Sequence, residues 1–214
     1  MDEPMNEHMV RVTYDGNRHN IRPGDVIAFA GLGGFSWIIK KFTWSRVSHV
    51  GVVLGVDEHS LLLIIESTTL HEGKSGVQTN RLSDVVRSYK GNVWHLPLKD
   101  ENSSRIASSD YFQYMKNLEG KPYGKWAAVK SAIPIYGKSQ SKALFCSQLV
   151  GKLFRHVDIF HEDVNPAELT PIDICRASIY KSRYYQLKGK PTKIKSFNAE
   201  MSLVADPPKD HFDL

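Results

Sequence analysis

Apolar positions along the chain recur with two different periods, and the period changes where turn residues intervene. Residues 48–56 and 61–68 are β-branched and apolar runs separated by Asp57-Glu58-His59-Ser60, a pattern that predicts an antiparallel hairpin. Pairing Val56 with Leu61 puts His49 opposite Thr68 and Glu66 opposite Gly51, which makes His49 and Glu66 diagonal neighbours on one sheet face. A slip of one residue would send Glu66 to the other face.

Upstream, residues 9–14 alternate apolar and polar and meet Asp15-Gly16, which reads as a strand entering a hairpin or sharp bend. Arg22-Pro23-Gly24-Asp25 is a turn, and Val26-Ile27-Ala28-Phe29 suits a buried strand. Phe35, Ile38, Ile39 and Phe42 have the spacing of one helical face, with Lys40 and Lys41 turned outward. Residues 77–82 and 92–98 read as further strands, and residues 104–118 as one helix ending at Gly120. Leu149, Val150 and Leu153 define the apolar face of a helix over residues 143–154, and Cys146 shares that face. Thr170-Pro171-Ile172-Asp173 combines an N-cap, a proline at the first helical position and an acid at the third, which predicts a short helix. Residues 184–187 return to the sheet, and a polar, loosely packed tail is expected beyond Pro191.

The 214 residues suit one domain with extensions, and 41% hydrophobic with 24% charged residues is ordinary for a globular chain. The expected division is an N-terminal extension over 1–23, a catalytic domain over 24–187 and a basic, irregular tail over 188–214. No apolar run approaches the roughly 20 residues of a membrane-spanning helix. The first residues lack the basic start and apolar stretch of a secretory signal, so a cytoplasmic protein, or one delivered without a signal, is expected. Two cysteines, Cys146 and Cys175, exclude a disulfide framework. A net charge of +5 is modest, and the basic run of Lys181, Arg183, Lys188, Lys190, Lys193 and Lys195 reads as a solvated strand and tail, not as a nucleic-acid surface.

Cys146 at the start of a helix and His49 on a strand are a candidate nucleophile and base, since such partners need not be close in sequence. The helix N-terminus and an adjacent imidazole both favour the thiolate that attacks. Glu66 would hold the imidazole tautomer. Each residue also has a bland reading: a buried cysteine packing with leucines, one histidine among 9, and a structural carboxylate. Neither C-x-x-C nor H-x-x-x-H occurs, so neither a metal nor another cofactor is expected.

Read in order, Gly24-Asp25-Val26-Ile27-Ala28-Phe29, Ser48-His49-Val50-Gly51-Val52-Val53, Ile65-Glu66-Ser67, Gly120-Lys121-Pro122-Tyr123 and Phe145-Cys146-Ser147-Gln148-Leu149-Val150 resemble the circularly permuted papain-like superfamily of NlpC type, with YiiX-like proteins the nearest group. The resemblance spans residues 24–174. It implies an α+β fold in which an antiparallel, barrel-like sheet packs against the cysteine helix, with Cys146 as nucleophile, His49 as base, Glu66 orienting it and Tyr123 near the substrate. Gly124 and Gln148 depart from the acidic residues frequent at those places. The implied function is a cysteine amidase or peptidase acting on a peptide, for example of the cell wall, through an acyl-enzyme. A lipid acyltransferase, esterase or thioesterase, as in relatives similar to lecithin retinol acyltransferase, is the second reading, and a non-catalytic binding module the third.

Overall fold

Every residue of Val26–Gly31 is buried, as a strand must be when both of its faces contribute to a core. The computed structural model describes residues 9–31, 46–56, 61–68, 75–122 and 145–205. Along the described chain come β1 (Met9–Arg11), α1 (Tyr14–Asn17), β2 (Val26–Gly31), β3 (His49–Val56), β4 (Leu62–Thr68), β5 (Gly76–Arg81), α2 (Leu82–Ser88) and β6 (Gly91–Leu96). They are followed by α3 (Asp100–Ser108), α4 (Tyr111–Leu118), α5 (Cys146–His156), α6 (Pro171–Arg176) and β7 (Tyr184–Lys188). The helix expected over residues 35–43 lies outside the described residues.

The strands form one open mixed sheet in the order β1-β7-β6-β2-β3-β4-β5, antiparallel except for the parallel pair of β1 with β7. An α+β architecture is therefore present, and its sheet is open where a barrel-like one was expected. Alternation sorts the apolar side chains into two cores. Val26, Ala28, Val50, Val52 and Ile65 pack with Leu149, Val150, Leu153 and Phe154 of α5. On the other face Ile27, Phe29, Val53 and Ile64 pack with Leu82, Val85 and Val86 of α2.

Several local expectations change. Asp15 and Gly16 belong to α1, capped by Thr13, whose hydroxyl accepts the Gly16 N–H, so of the two expected outcomes β1 enters a sharp bend, made by a helical turn, and not a hairpin. The strand after Gly76 ends at Arg81, and α2 begins at the next residue. The single helix over residues 104–118 is two helices, because the Ser109 hydroxyl donates to Ile106 O at 2.9 Å and accepts the Tyr111 N–H at 3.3 Å, diverting the backbone from the helical ladder. At α6 the expected cap is present, with the Thr170 N–H donated to Asp173 Oδ2 at 2.9 Å.

The segment after Pro191 is docked through residue 205, against the expectation of a loose tail. Thr192 O accepts the buried Trp94 indole N–H at 3.0 Å, Ile194 is buried, and its N–H is donated to the Tyr184 hydroxyl at 2.9 Å. Phe197 lies 4.3 Å from the Tyr184 ring and 5.5 Å from that of Tyr180. The basic residues here follow alternation, with Lys193 and Lys195 exposed on either side of buried Ile194. Lys188 Nζ instead donates to Val86 O and Arg87 O at 2.8 and 2.6 Å, satisfying carbonyls at the C-terminus of α2. Replacing Ile194 with alanine should cost about 2–4 kcal/mol. That loss appears as a lower urea midpoint at constant slope, and an unchanged midpoint would show that the segment contributes nothing to the core.

Candidate active site

His49 opens β3, and its neighbours follow from the strand register. Phe29 of β2 pairs with His49, and Val52 and Val53 of β3 pair with Ile65 and Ile64 of β4. Farther along the hairpin Gly55 pairs with Leu63 and Val56 with Leu62, so a bulge at Leu54 shifts the ladder by one residue. Val56 thus does not pair with Leu61. On the His49 side of the bulge the register equals the one that makes Glu66 a diagonal neighbour of the histidine, and His49 Nε2 and Glu66 Oε2 lie 2.6 Å apart. Between them Gly51 leaves the necessary room: a Cβ there would stand 2.7 Å from Ile64 Cδ1 and 3.2 Å from Glu66 Cβ.

Glu66 has a second fixed contact. Asn80 Nδ2 of β5 donates to its Oε1 at 3.2 Å. Asn80 pairs with Ile64, so it is diagonal to Glu66 just as Glu66 is to His49. The sequence reading missed Asn80, since its strand does not alternate clearly and an asparagine in such a run reads as a surface residue.

Cys146 is the first residue of α5, which packs on the opposite face of the sheet from the His49 and Glu66 side chains. The thiol and imidazole meet because each occupies the end of its element, and the Cys146 side chain is a hydrogen-bonding partner of His49. The helix start is anchored by Ser147, whose hydroxyl donates to Leu169 O at 2.5 Å, and by Gln148, whose Oε1 accepts the Phe145 N–H at 3.3 Å. The glutamine thus serves as the returning half of a helix cap.

All three side chains are enclosed, with His49 7%, Glu66 1% and Cys146 1% exposed. Burial alone disfavours a charged ring. The charge and hydrogen bond of Cys146, followed by those of Glu66, outweigh it and raise the His49 pKa from 6.5 to about 10.

Two aromatic residues complete the surroundings. The Phe29 ring centroid lies 5.2 Å from that of His49 and 4.8 Å from that of Tyr89. Burial holds the Tyr89 phenol protonated; a hydrogen bond with Ser48 opposes this, while the charges of Glu66 and Cys146 add to it. Tyr89 is therefore a neutral O–H group beside the Phe29 ring, and nothing in the sequence pattern singles it out. Tyr123 lies outside the described residues.

Other titratable groups have different placements. Both cysteines are free, and burial, followed by the charge of Asp173, raises the Cys175 thiol well above its ordinary value. His156 pairs with Asp110 at 2.6 Å at the far end of α5, and His161 with Asp163 at 3.3 Å. His95 is buried against Asp25 at 2.7 Å. Among the described residues no three His, Cys, Asp or Glu side chains are grouped to hold a metal ion, and no helix is long and apolar enough to cross a membrane.

No protein-family profile matches the sequence, and no curated protein matches it. Among solved structures, one described as metalloprotein yiiX from Escherichia coli O157:H7, DUF1105, is similar at a TM-score of 0.46 and 21% identity, over 69% of this chain and 78% of that one. At that distance, roles within the site rest on its own geometry.

The geometry makes two predictions. Folding raises the proton affinity of His49, so the stability its proton supplies is complete below pH 6.5 and is lost as the pH climbs toward 10. The unfolding free energy of the wild type relative to His49→Gln should therefore shrink across that interval, and a pH-independent difference would contradict the pairing. Asn80→Ala should destabilise by about 1–3 kcal/mol by removing a hydrogen bond to a buried carboxylate. In a Glu66→Gln background the same change should cost much less; a double-mutant cycle with additive losses would remove the contact from the network.

Proposed function

We propose that this chain is a cysteine amidase or peptidase that works through an acyl-enzyme on Cys146, in an arrangement of the permuted papain-like kind. The observation that carries the reading is the contact of one imidazole with two partners, the carboxylate of Glu66 on one side and the thiol of Cys146 on the other. Nε2 is committed to Glu66, which leaves Nδ1 as the ring position that exchanges a proton with sulfur.

In the first half-reaction Sγ attacks the amide carbonyl carbon, a C–S bond forms and the carbonyl electron pair moves to oxygen. The N–H groups of the first turn of α5 are the candidate oxyanion donors, because the first intrahelical bond is made only by Leu149, to Phe145 O at 2.9 Å. Collapse breaks the C–N bond, and the amine leaves with the proton from His49. Water then loses a proton to the imidazole and attacks the thioester, releasing the acid and restoring sulfur. Glu66 keeps the ring oriented throughout, and Asn80 keeps Glu66 oriented. An acceptor other than water would make the same machinery an acyltransferase.

The 1% exposure of Cys146 favours a second reading, a binding module whose sulfur never meets a substrate. Intact-protein mass spectrometry after exposure to amide, ester and thioester activity probes separates the two. The catalytic reading expects one acyl adduct that Cys146→Ser abolishes and Cys175→Ser leaves intact. His49→Ala should slow it by about a hundredfold or more. No adduct, or equal labelling without the histidine, would establish the binding-module reading, and the most reactive probe identifies the bond type.

A further inference from the structure

We propose that the chain carries a second site, a phosphate-binding pocket at the end of β2 remote from His49. Asp25 immediately precedes β2, whereas Phe29 pairs with His49, so about 13 Å of strand separates the two places. The pocket is a cavity of about 250 Å³ walled by Asn20, Arg22 and the buried carboxylate Asp25 ahead of β2 and by Lys181, Ser182, Arg183 and Tyr185 at the start of β7. Its size suits a phosphate with a small organic remainder.

The walls are held by a buried network. Asp25 Oδ1 accepts the Leu98 N–H at 2.9 Å, and Oδ2 accepts the Arg22 N–H at 2.9 Å and His95 Nε2–H at 2.7 Å. Asn17 Nδ2 donates to His95 Nδ1 at 2.8 Å, and the Tyr185 ring stacks on the imidazole at 5.7 Å. Gly24, at φ +86°, permits the tight turn that brings the Arg22 N–H onto Asp25. One carboxylate thereby fixes backbone from both sides of the cavity before any ligand arrives, and both nitrogens of His95 are occupied, so the ring serves the scaffold.

The cations already hold one carboxylate. Asp100, exposed at the first position of α3, takes Lys181 Nζ at 2.7 Å and Arg22 Nη1 at 3.7 Å. Arg183 keeps its guanidinium unpaired among the described residues. A cavity with two cations at an anion, a third without one, and hydroxyl and amide donors beside them matches a tetrahedral oxyanion, for which the guanidinium fork is well shaped.

The test is a titration of the full chain with inorganic phosphate, followed by 1H–15N NMR, and separately with phosphatidylcholine vesicles with and without phosphatidate, followed by sedimentation. Saturable shifts at Arg22, Ser182 and Arg183 are expected. Arg183→Ala and Lys181→Ala should each weaken binding about tenfold, Arg183→Lys less, and exposed Lys193→Ala not at all. Response to free phosphate identifies a soluble phosphomonoester as the ligand type; response to phosphatidate alone, with the same variant pattern, identifies a lipid headgroup. Absence of saturation in both arms, or equal weakening by Lys193→Ala, overturns the site. Acylation of Cys146 is not part of the readout, so the outcome is independent of the proposed hydrolase activity.

Discussion

A carboxylate removed from water is tolerated only when its oxygens are matched by donors, and those of Glu66 include His49 on Oε2 and Asn80 on Oε1. The three side chains come from three successive strands, so the arrangement exists only while both ladders keep their register. Gly51 is the steric condition for it, since a side chain there would occupy the space through which Glu66 and Ile64 pass. The imidazole that partners the Cys146 thiol is held by this line of hydrogen bonds and by the Phe29 ring.

Among the described residues there are two buried histidine–carboxylate pairs, and their difference explains why residue type alone does not locate a site. His95 receives Asn17 on one nitrogen and gives its proton to Asp25 from the other, so the ring has no free position. His49 gives one nitrogen to Glu66 and has the Cys146 thiol as a further partner. In both cases the second partner, Asn17 or Cys146, is distant in sequence and is brought in by tertiary folding. Alternation places a histidine on a face; it does not say what waits at the end of the strand.

What was legible in the residues follows the same division. The placement of Glu66 beside His49 could be reached from hairpin arithmetic because side-chain alternation has a strict period, and the site half of the hairpin obeys it. Its distal half does not, since the bulge at Leu54 depends on backbone geometry that composition does not encode. The split between α3 and α4 came from hydroxyl bonding by Ser109, an effect invisible to apolar spacing. Asn80 and Tyr89 have no local signature, and the docking of residues 191–205 depends on partners such as Trp94 and Tyr184 that only the fold supplies.

The bulge has a consequence for how such a chain tolerates change. One extra residue in β3 takes up an offset between the two halves of the hairpin, so the pairing of Gly55 and Val56 with Leu63 and Leu62 runs in a different register from the end where His49 sits. Loops of different length and chemistry can then be grafted at the far end while the polar trio stays in phase. The distal end of the hairpin is thus free to diversify toward new encounters without retuning the buried pair.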